Sequence, residues 1–452
     1  MLKNINPNIF KAYDIRGIYP SDLNEDMAEA VGKAFTKVIQ PTQVIVGQDG
    51  RVSSPSLTKA LIKGFTSMGV HVIDVGRVST DMYYYACATK KIPGIMVTAS
   101  HNPKEYNGFK MVRKIPYLLS GDEGIQDIRK TIEKNDFPKK STTPGTVETW
   151  SIMDGFIEKI ASLVDLSKLK PMKVIADTAN GMVGPSLIEL FKRIPQVKLT
   201  PMYFDIDGTF PNHGGDPLQE PNRRELMERV VAEKYDLGFA FDPDGDRFFC
   251  IDGKGRFVSG DFMTAILASY FLDKNPGATI IYDIRASLAV KDTVEKKGGK
   301  PSYIRVGHAY IKKAMKDLNA VFAGEVTGHY YFKDFFGCDS GLAPMVYVMD
   351  LLSHTDQSLA AILDVYGNKY HISGEINNKV ADVKATIARI KEKYGPMAKQ
   401  VIEIDGITGE MGDWRFNVRG SNTEPLIRLN LEATSHKLME EKRDEVLAII
   451  KS

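Results

Sequence analysis

The chain contains little cysteine and no surplus of charge of either sign. Its 452 residues include three cysteines, and 59 lysine and arginine residues against 57 aspartate and glutamate residues leave a formal net charge of +2. Cys87, Cys250 and Cys338 lie far apart and lack the spacing of metal ligands, which favours a reduced cytosolic protein. Because no basic surplus indicates a nucleic-acid partner, an anionic small-molecule substrate would need a local cluster of arginines.

Long apolar runs are also missing. Residues 1–7 lack the continuous apolar core of a signal peptide, and no stretch approaches the roughly 20 apolar residues of a membrane span. We therefore expect a cytoplasmic protein without a lipid anchor, with no nucleic-acid or membrane partner. At about 100 to 150 residues per domain, the length predicts three or four domains.

One strand-helix-strand pattern occurs three times. Short buried strands alternate with segments of helical periodicity, which is typical of a β-α-β unit. In the order strand, helix, strand, the units span 44–47, 54–67 and 70–75; 173–177, 185–193 and 197–204; and 279–283, 287–297 and 302–306. Three α/β domains of similar build follow from this repetition.

Each unit is followed by one more apolar strand that runs into a polar loop. The strand 95–97 precedes Ser100, the strand 237–241 precedes three aspartates, and the strand 320–323 precedes the loop 324–329. Sites in open α/β sheets gather at the carboxyl ends of strands. We therefore expect the three loops to face one cleft.

The pattern changes after about residue 370. Strands at 414–418 and 426–431, joined by a polar turn, and a helix at 435–450 with Ser435 as its N-cap predict a smaller α+β domain. The predicted fold is thus α/β, with three similar α/β domains and a C-terminal α+β domain around a central cleft. The predicted domains are 1–150, 151–255, 256–369 and 370–452.

The loop after the second of these strands carries Asp242, Asp244 and Asp246 at alternate positions. Three neighbouring carboxylates are costly without a cation, and hard oxygen ligands suit magnesium or calcium. The calcium-loop template fails, because its sixth position is Arg247 and its twelfth is Gly253. The loop therefore predicts a magnesium site with room for a phosphate oxygen, and a solvated turn is the alternative.

The other loops each allow two interpretations. Ser100 is placed as a covalent phosphoryl or acyl carrier, or as a cap for the next element, and Asn102 before a proline would itself cap a helix. Glu325 and Thr327 would grip vicinal sugar hydroxyls or form a plain turn. The polar turn of the last domain offers donors for a dianionic phosphate, or is an ordinary hairpin loop. Its residues are Arg419, Ser421, Asn422, Thr423 and Arg428.

A competing motif begins at Asp205. Residues 205–209 read D-x-D-G-T, which resembles the nucleophile motif of haloacid-dehalogenase-type phosphatases, where the first aspartate forms an aspartyl phosphate. Here the motif follows the last strand of the second β-α-β unit, and lysine and acidic loops do not follow in the order of that fold. An aspartyl-phosphate phosphatase is therefore an alternative hypothesis.

Taken together, the motifs resemble the α-D-phosphohexomutase family, in its bacterial-type phosphomannomutase/phosphoglucomutase branch. The resemblance covers nearly the whole chain, and several long motifs occur in the family's order. The motifs lie at 10–17, 97–103, 107–110, 242–247, 307–308, 324–329 and 419–423.

This resemblance implies an isomerase that moves phosphate between positions 1 and 6 of mannose or glucose phosphate, through a phosphoserine and a hexose 1,6-bisphosphate. It implies three domains with mixed sheets, a mobile C-terminal domain of the TATA-binding-protein-like type, and a monomer or weak dimer.

Mg²⁺ would be held by Ser100, Asp242, Asp244 and Asp246. The implied catalytic residues are Ser100, Lys110, Arg16, His101 and Arg247, with Lys110 as the first candidate for general acid and base. The implied substrate-binding residues are Tyr13, Arg285, His308, Glu325, Thr327, His329, Arg419, Ser421, Asn422, Thr423 and Arg428.

The sugar loop departs from the family pattern at Val326 and Thr327, and the threonine keeps the hydroxyl of the usual serine. Val326 stands where members often have methionine, and a glutamine there would point toward glucosamine phosphates. Its absence favours mannose or glucose phosphates, and a phosphoglucosamine mutase is the nearest alternative. These loops do not choose between mannose and glucose, because the two sugars differ only at C2.

Overall fold

The structure, a computed structural model, describes residues 5–420 and 426–452. Its first domain contains the strands β1 (Ile15–Ile18), β2 (Gln43–Gln48), β3 (His71–Arg77), β4 (Gly94–Val97), β5 (Tyr106–Lys114), β6 (Tyr117–Leu118) and β7 (Val147–Thr149), and the helices α1 (Glu25–Ile39), α2 (Ser54–Ser67), α3 (Thr80–Lys90) and α4 (Gln126–Glu133). The sheet order is β1-β5-β4-β2-β3-β7, with β6 paired to β5. Strands β2, β3 and β4 are parallel, whereas β5 runs antiparallel to β4.

Local sequence explains these elements. Val44, Ile45 and Val46 are all buried, as expected for a parallel strand that is covered on both faces. Helix α2 buries Leu57, Leu61 and Phe65, which lie four residues apart on one helical face. The predicted helix at 54–67 is confirmed by α2.

The second and third domains repeat this arrangement. Helix α5 (Met153–Ala161) precedes the second sheet, which is ordered β12-β11-β10-β8-β9 and consists of β8 (Met172–Asp177), β9 (Val197–Met202), β10 (Leu237–Phe241), β11 (Phe248–Asp252) and β12 (Phe257–Val258), with α6 (Val183–Phe191) and α7 (Glu220–Ala232). The third sheet is ordered β14-β13-β15-β16-β17 and consists of β13 (Thr279–Asp283), β14 (Lys300–Ile304), β15 (Phe322–Gly324), β16 (Tyr330–Phe332) and β17 (Cys338–Asp339). Its helices are α8 (Gly260–Lys274), α9 (Leu288–Lys296), α10 (His308–Asp317), α11 (Leu342–Ser353) and α12 (Leu359–Gly367).

The three polar loops occupy one topological position. In each of these three domains, the strand before the loop runs parallel to the first strand of the β-α-β unit. The strand after the loop runs antiparallel to the strand before it. These connections are β4 to β5, β10 to β11 and β15 to β16. The prediction of mixed sheets with equivalent loops is therefore confirmed.

The C-terminal domain has a different plan. Its antiparallel sheet is ordered β18-β22-β21-β20-β19 and is accompanied by α13 (Val383–Tyr394) and α14 (His436–Lys451). Its strands are β18 (His371–Lys379), β19 (Gln400–Ile402), β20 (Ile407–Glu410), β21 (Trp414–Gly420) and β22 (Leu426–Ala433). The Ser435 hydroxyl caps α14 by accepting from the Leu438 N–H, as predicted.

The C-terminal domain has an apolar core that is separate from the core shared by the other three domains. One continuous cluster contains buried residues of the first, second and third domains, such as Tyr83, Leu187 and Phe322. The C-terminal domain packs its own cluster around Phe416 and Leu429. Across the described ranges, no helix combines the length and apolar character that a membrane crossing requires.

Candidate active site

Strand β4 delivers Ser100 into the site in an unusual backbone conformation. Ser100 has φ +49°, in the left-handed region that non-glycine residues seldom adopt, and is 2 % exposed. Its N–H donates to Thr98 Oγ1 at 2.9 Å, and its hydroxyl donates to Asp242 Oδ2 at 2.7 Å. The element that follows is strand β5, so the alternative in which Ser100 or Asn102 caps a helix is wrong.

Arg51, which the sequence analysis missed, holds this loop in shape. Its buried guanidinium donates to the carbonyl oxygens of Ser100 and Asn102 at 2.7 and 2.6 Å, and to those of Pro103 and Tyr106 at 2.8 and 2.9 Å. Asp49 Oδ2 accepts from Arg51 Nε at 3.2 Å. One arginine side chain thus holds the backbone from Ser100 to Tyr106.

The three aspartates of the second loop converge beside Ser100 and are buried. One carboxylate oxygen from each of Asp242, Asp244 and Asp246 lies within 4.8 Å of the others, so the alternative of a solvated turn is wrong. Thr80 Oγ1 donates to Asp244 Oδ2 at 2.7 Å. In contrast, Asp244 Oδ1 and Asp246 Oδ1 are buried without a hydrogen-bond partner. Buried carboxylate oxygens without partners fit a divalent cation.

Lys110 on β5 supplies positive charge to this cluster. Its Nζ lies 2.7 Å from Asp244 Oδ2 and also pairs with Asp246 Oδ2. Burial acts to lower the pKa of Lys110, but the charges of Asp244 and Asp246 raise it above its ordinary value. Burial and the neighbouring aspartates raise the pKa of Asp242, whereas Lys110 outweighs burial and lowers that of Asp244. Lys110 is therefore protonated beside these carboxylates.

Arg16 and His101 contact the serine loop. Arg16 Nη1 donates to Asn102 Oδ1 at 2.7 Å, and its Nη2 lies 2.5 Å from Asp14 Oδ2. His101 Nδ1 lies 3.2 Å from Ser100 Oγ. Burial, followed by the charges of Arg247 and Arg16, lowers the pKa of His101, so its ring is neutral at neutral pH.

A buried chain of polar groups connects Arg247 to the third domain. Arg247 Nε donates to His329 Nε2 at 3.1 Å, and because a guanidinium only donates, His329 carries its proton on Nδ1. That nitrogen lies 3.1 Å from Asp339 Oδ2, and Asp339 Oδ1 lies 2.7 Å from Lys312 Nζ. Although Asp246, His329 and Asp339 also have metal-like spacing, Lys312 and Arg247 already pair with two of them.

The third loop supplies polar groups that face the serine loop. Glu325 is buried, and its carboxylate accepts from the Tyr331 hydroxyl, while Thr327 is half-buried. Tyr13 packs edge-on against His308 at a ring-centroid distance of 5.0 Å. Burial, followed by the charge of Lys312, lowers the pKa of His308, so this ring is also neutral.

Three arginines, here termed the arginine cluster (Arg285, Arg419 and Arg428), meet in the wall of the cleft. The Glu375 carboxylate lies among them, with contacts of 3.0 Å to Arg285 and 3.3 Å to each of the other two. Arg419 and Arg428, on the two strands that flank the predicted polar turn, thus share one carboxylate with Arg285. The predicted residues Ser421, Asn422 and Thr423 lie outside the described residues.

All four domains contribute to one cleft of about 660 Å³. Among the predicted site residues, those that line this cleft are Tyr13, Arg16, Ser100, His101, Lys110, Arg247, Arg285, His308, Glu325, Thr327, His329, Arg419 and Arg428. The aspartates lie directly behind Ser100. The expectation that the three loops face one cleft is thus confirmed.

Asp205 takes no part in this cleft. Its side chain is exposed in the segment between β9 and α7, and it is absent from the described residues that line the cavity. Asp207 of the same motif accepts from the Thr209 N–H and hydroxyl, which makes the motif a local turn. The structure therefore gives no support to the aspartyl-phosphate alternative.

Five residues of the site escaped the sequence analysis, and two of them carried a usable signal. Asp49 and Arg51 directly follow β2, whose carboxyl end lies beside that of β4, so a site prediction from parallel strands can include them. Asp339 and Lys312 belong to no motif and become neighbours only when β17 and α10 pack together. Glu375 is an isolated glutamate on β18 with no local pattern.

Comparison with known proteins gives the same architecture. Four sequence profiles of "Phosphoglucomutase/phosphomannomutase" match: alpha/beta/alpha domain I at 7–139, domain II at 154–255, domain III at 259–369 and the C-terminal domain at 375–449. A phosphomannomutase from Escherichia coli is 38% identical over 98% of this chain and 99% of its own length. A Xanthomonas campestris protein described as phosphohexose mutases is 38% identical over 97% of this chain and 98% of its own length.

A solved structure extends the match to three dimensions. A phosphoglucomutase/phosphomannomutase family protein from Burkholderia thailandensis superimposes with a TM-score of 0.89 at 33% identity, covering 99% of this chain and 98% of the other. Fold and site together define a four-domain enzyme of sugar-phosphate metabolism with an acidic cluster suited to a metal. The chain belongs to the phosphoglucomutase/phosphomannomutase family.

Proposed function

We propose that this enzyme reversibly moves phosphate between positions 1 and 6 of mannose phosphate and also acts on glucose phosphate, with Ser100 as the phosphate carrier. The observation that carries this proposal is the position of the Ser100 hydroxyl, 2.7 Å from a buried aspartate cluster, in a cleft that the arginine cluster also lines. The chain is similar along its whole length to proteins named phosphomannomutase.

The residues suited to hold Mg²⁺ are Asp242, Asp244, Asp246 and an oxygen of phosphorylated Ser100. Their buried, unpartnered carboxylate oxygens provide the hard donors that this ion prefers. When bound, the ion would stabilise negative charge on the transferring phosphoryl group. Lys110 would then share its carboxylate partners with a cation, so its pKa would move back toward the ordinary value and allow proton exchange at Nζ.

Two transfers complete one reaction cycle. In the first, the 6-hydroxyl oxygen of a hexose 1-phosphate bonds to the phosphorus on Ser100 and the Ser100 Oγ–P bond breaks. Protonated Lys110 gives a proton to the departing Ser100 Oγ and takes up the proton of the 6-hydroxyl in its place. The resulting hexose 1,6-bisphosphate turns end for end. In the second, Ser100 Oγ recovers the phosphoryl group from O1, and the proton returns, which leaves hexose 6-phosphate. Arg247 and Arg16 neutralise charge beside the transferring group.

Substrate recognition is divided between two other parts of the cleft. Glu325 and Thr327 hold the sugar hydroxyls, with Tyr13, His308 and His329 along the wall. The arginine cluster, together with Ser421, Asn422 and Thr423, holds whichever phosphate is not reacting, since guanidinium groups bind phosphate through paired hydrogen bonds. We further propose that the enzyme acts in the cytoplasm as a monomer or weak dimer with hexose phosphates as its small-molecule partners.

A coupled assay tests the proposed reaction. Formation of hexose 6-phosphate is followed with mannose 1-phosphate or glucose 1-phosphate as substrate, with and without added hexose 1,6-bisphosphate. We expect turnover of both sugars, Mg²⁺ dependence, and a shorter lag when the bisphosphate is present. Release of inorganic phosphate without formation of hexose 6-phosphate would contradict the proposal.

A further inference from the structure

Glu375 places a negative charge where the proposed reaction needs to bind a phosphate. Its Oε2 lies 3.0 Å from Arg285 Nη1 and 3.3 Å from Arg419 Nη2, and its Oε1 lies 3.3 Å from Arg428 Nη1. The glutamate side chain is 24% exposed and faces the cleft. No step of the proposed chemistry uses a carboxylate at this position.

The charges around Glu375 explain why it lies there. Arg285 has a second carboxylate partner in Asp283, at 2.9 Å. Among the described residues, Glu375 is the only carboxylate within 4.0 Å of Arg419 or Arg428. Burial acts to raise the pKa of Glu375, but the three arginines outweigh it and lower the pKa to about 2. Glu375 is therefore ionised, and it compensates a concentrated positive charge in a partly dehydrated place.

We propose that Glu375 is an internal substitute for the non-reacting phosphate of the substrate: it pairs with the arginine cluster when the phosphate leaves and thereby weakens phosphate binding. This inference rests on the proposed function, because a bisphosphate that turns end for end must release one phosphate and bind the other in every cycle. Without Glu375, each release would leave Arg419 and Arg428 without a carboxylate partner. With it, the cluster exchanges one anion for another.

The exchange also crosses a domain boundary. Arg285 follows β13 in the third domain, whereas Glu375 lies on β18 in the C-terminal domain. The contact between them connects these domains when no phosphate is bound. A bound phosphate would take over that connection, so the cleft keeps a bridging anion in both states.

The test is phosphate binding to the Glu375→Gln variant. Isothermal titration calorimetry with inorganic phosphate, and separately with mannose 1-phosphate, should give binding about tenfold tighter than in the unchanged protein, because a like charge beside the ligand has been removed. In steady-state assays KM should fall, and kcat should fall with it as release of the intermediate slows. Glu403→Gln is the matched control, since Glu403 pairs with an exposed lysine in the same domain, and it should change neither value.

Weaker or unchanged phosphate binding in Glu375→Gln would overturn the inference, since Glu375 would then hold the arginines in place or have no effect on the ligand. If that variant does not fold, Glu375→Asp decides: its shorter carboxylate should loosen the arginine contacts and tighten phosphate binding, and equal or weaker binding would overturn the inference. Binding of inorganic phosphate requires no turnover. A failure of the mutase reaction in the unchanged protein is therefore a separate result.

Discussion

Ser100 is the residue on which the proposed chemistry depends. Its backbone is held in the left-handed region, its N–H is paired with Thr98, and its hydroxyl points at Asp242. Non-glycine residues in that region cost energy that the surrounding structure must supply, and such residues cluster at functional sites. The geometry therefore orients a single hydroxyl toward the aspartate cluster.

Ser100→Ala should abolish turnover of mannose 1-phosphate, with kcat falling by at least about 10³-fold, because the phosphate carrier is lost. Only one hydroxyl is removed, so circular dichroism and the melting temperature should stay close to those of the unchanged protein. The control is Ser162→Ala, an exposed serine that donates to a backbone carbonyl in the same helix end. Full activity in Ser100→Ala would contradict the proposed mechanism.

At the scale of elements, the site is a set of strand ends joined by a few long side chains. Three loops occupy the same position in three sheets, and Arg51 connects the end of β2 to the loop after β4. The guanidinium satisfies four carbonyl oxygens that no strand pairing reaches. The serine loop therefore takes its shape from a neighbouring element as well as from its own sequence.

Arg51→Met should destabilise the protein by about 3–5 kcal/mol, because it leaves buried Asp49 without its cation and removes the donor from the carbonyl oxygens of Ser100, Asn102 and Tyr106. Urea unfolding measures the change. Arg224→Met is the matched control, since Arg224 forms an exposed pair with Glu220 on a helix and should change stability by less than about 0.5 kcal/mol. A loss below about 1 kcal/mol in Arg51→Met would show that the loop does not depend on this side chain.

The sequence predicts many of the helices, strands and caps correctly, because the sequence patterns that specify them are local. Helix α2, strands β10 and β13, and the cap at Ser435 match their predicted positions, since apolar periodicity and capping act within a few residues. The aspartate loop was predictable for the same reason. Asp339, Lys312 and Glu375 were not, because their roles arise only when distant segments pack against each other. The resemblance to a known family added residue roles that spacing alone left open.

At the scale of the whole molecule, the C-terminal domain is joined to the rest differently from the other domains. The first three share one apolar cluster, whereas the C-terminal domain has its own core and meets the third through polar contacts beside the partly buried Ile372. Arg415 donates to the carbonyl oxygens of Ile284 and Ala286, and Glu432 accepts from the Leu288 N–H at 3.2 Å. Polar interfaces of this kind permit domain motion more readily than apolar ones.

Glu432 makes the stability of this interface depend on pH. Burial is the main cause that raises its pKa from 4.5 to about 7. A group whose pKa is higher in the folded state stabilises the protein when it is protonated. Its full contribution to the free energy of unfolding is present below pH 4.5 and is lost as the pH rises through about 7. Relative to Glu432→Gln, the free energy of unfolding of the unchanged protein should therefore fall by up to about 3 kcal/mol between pH 4.5 and 8.

Urea unfolding of both proteins across this pH range measures the difference. Glu441→Gln, which changes an exposed glutamate on α14, is the control and should follow the unchanged protein at every pH. A difference between Glu432→Gln and the unchanged protein that stays constant from pH 4.5 to 8 would mean that Glu432 does not titrate in this interval.

The most direct measurement concerns the phosphate on Ser100. The purified protein is incubated with Mg²⁺ and hexose 1,6-bisphosphate, its intact mass is recorded, and the modified peptide is sequenced before and after addition of mannose 1-phosphate. We predict the mass of one added phosphate, located on Ser100, which decreases as hexose bisphosphate forms after the sugar is added. Phosphate on Asp205, or an unmodified Ser100 in a protein that still turns over mannose 1-phosphate, would contradict the proposal.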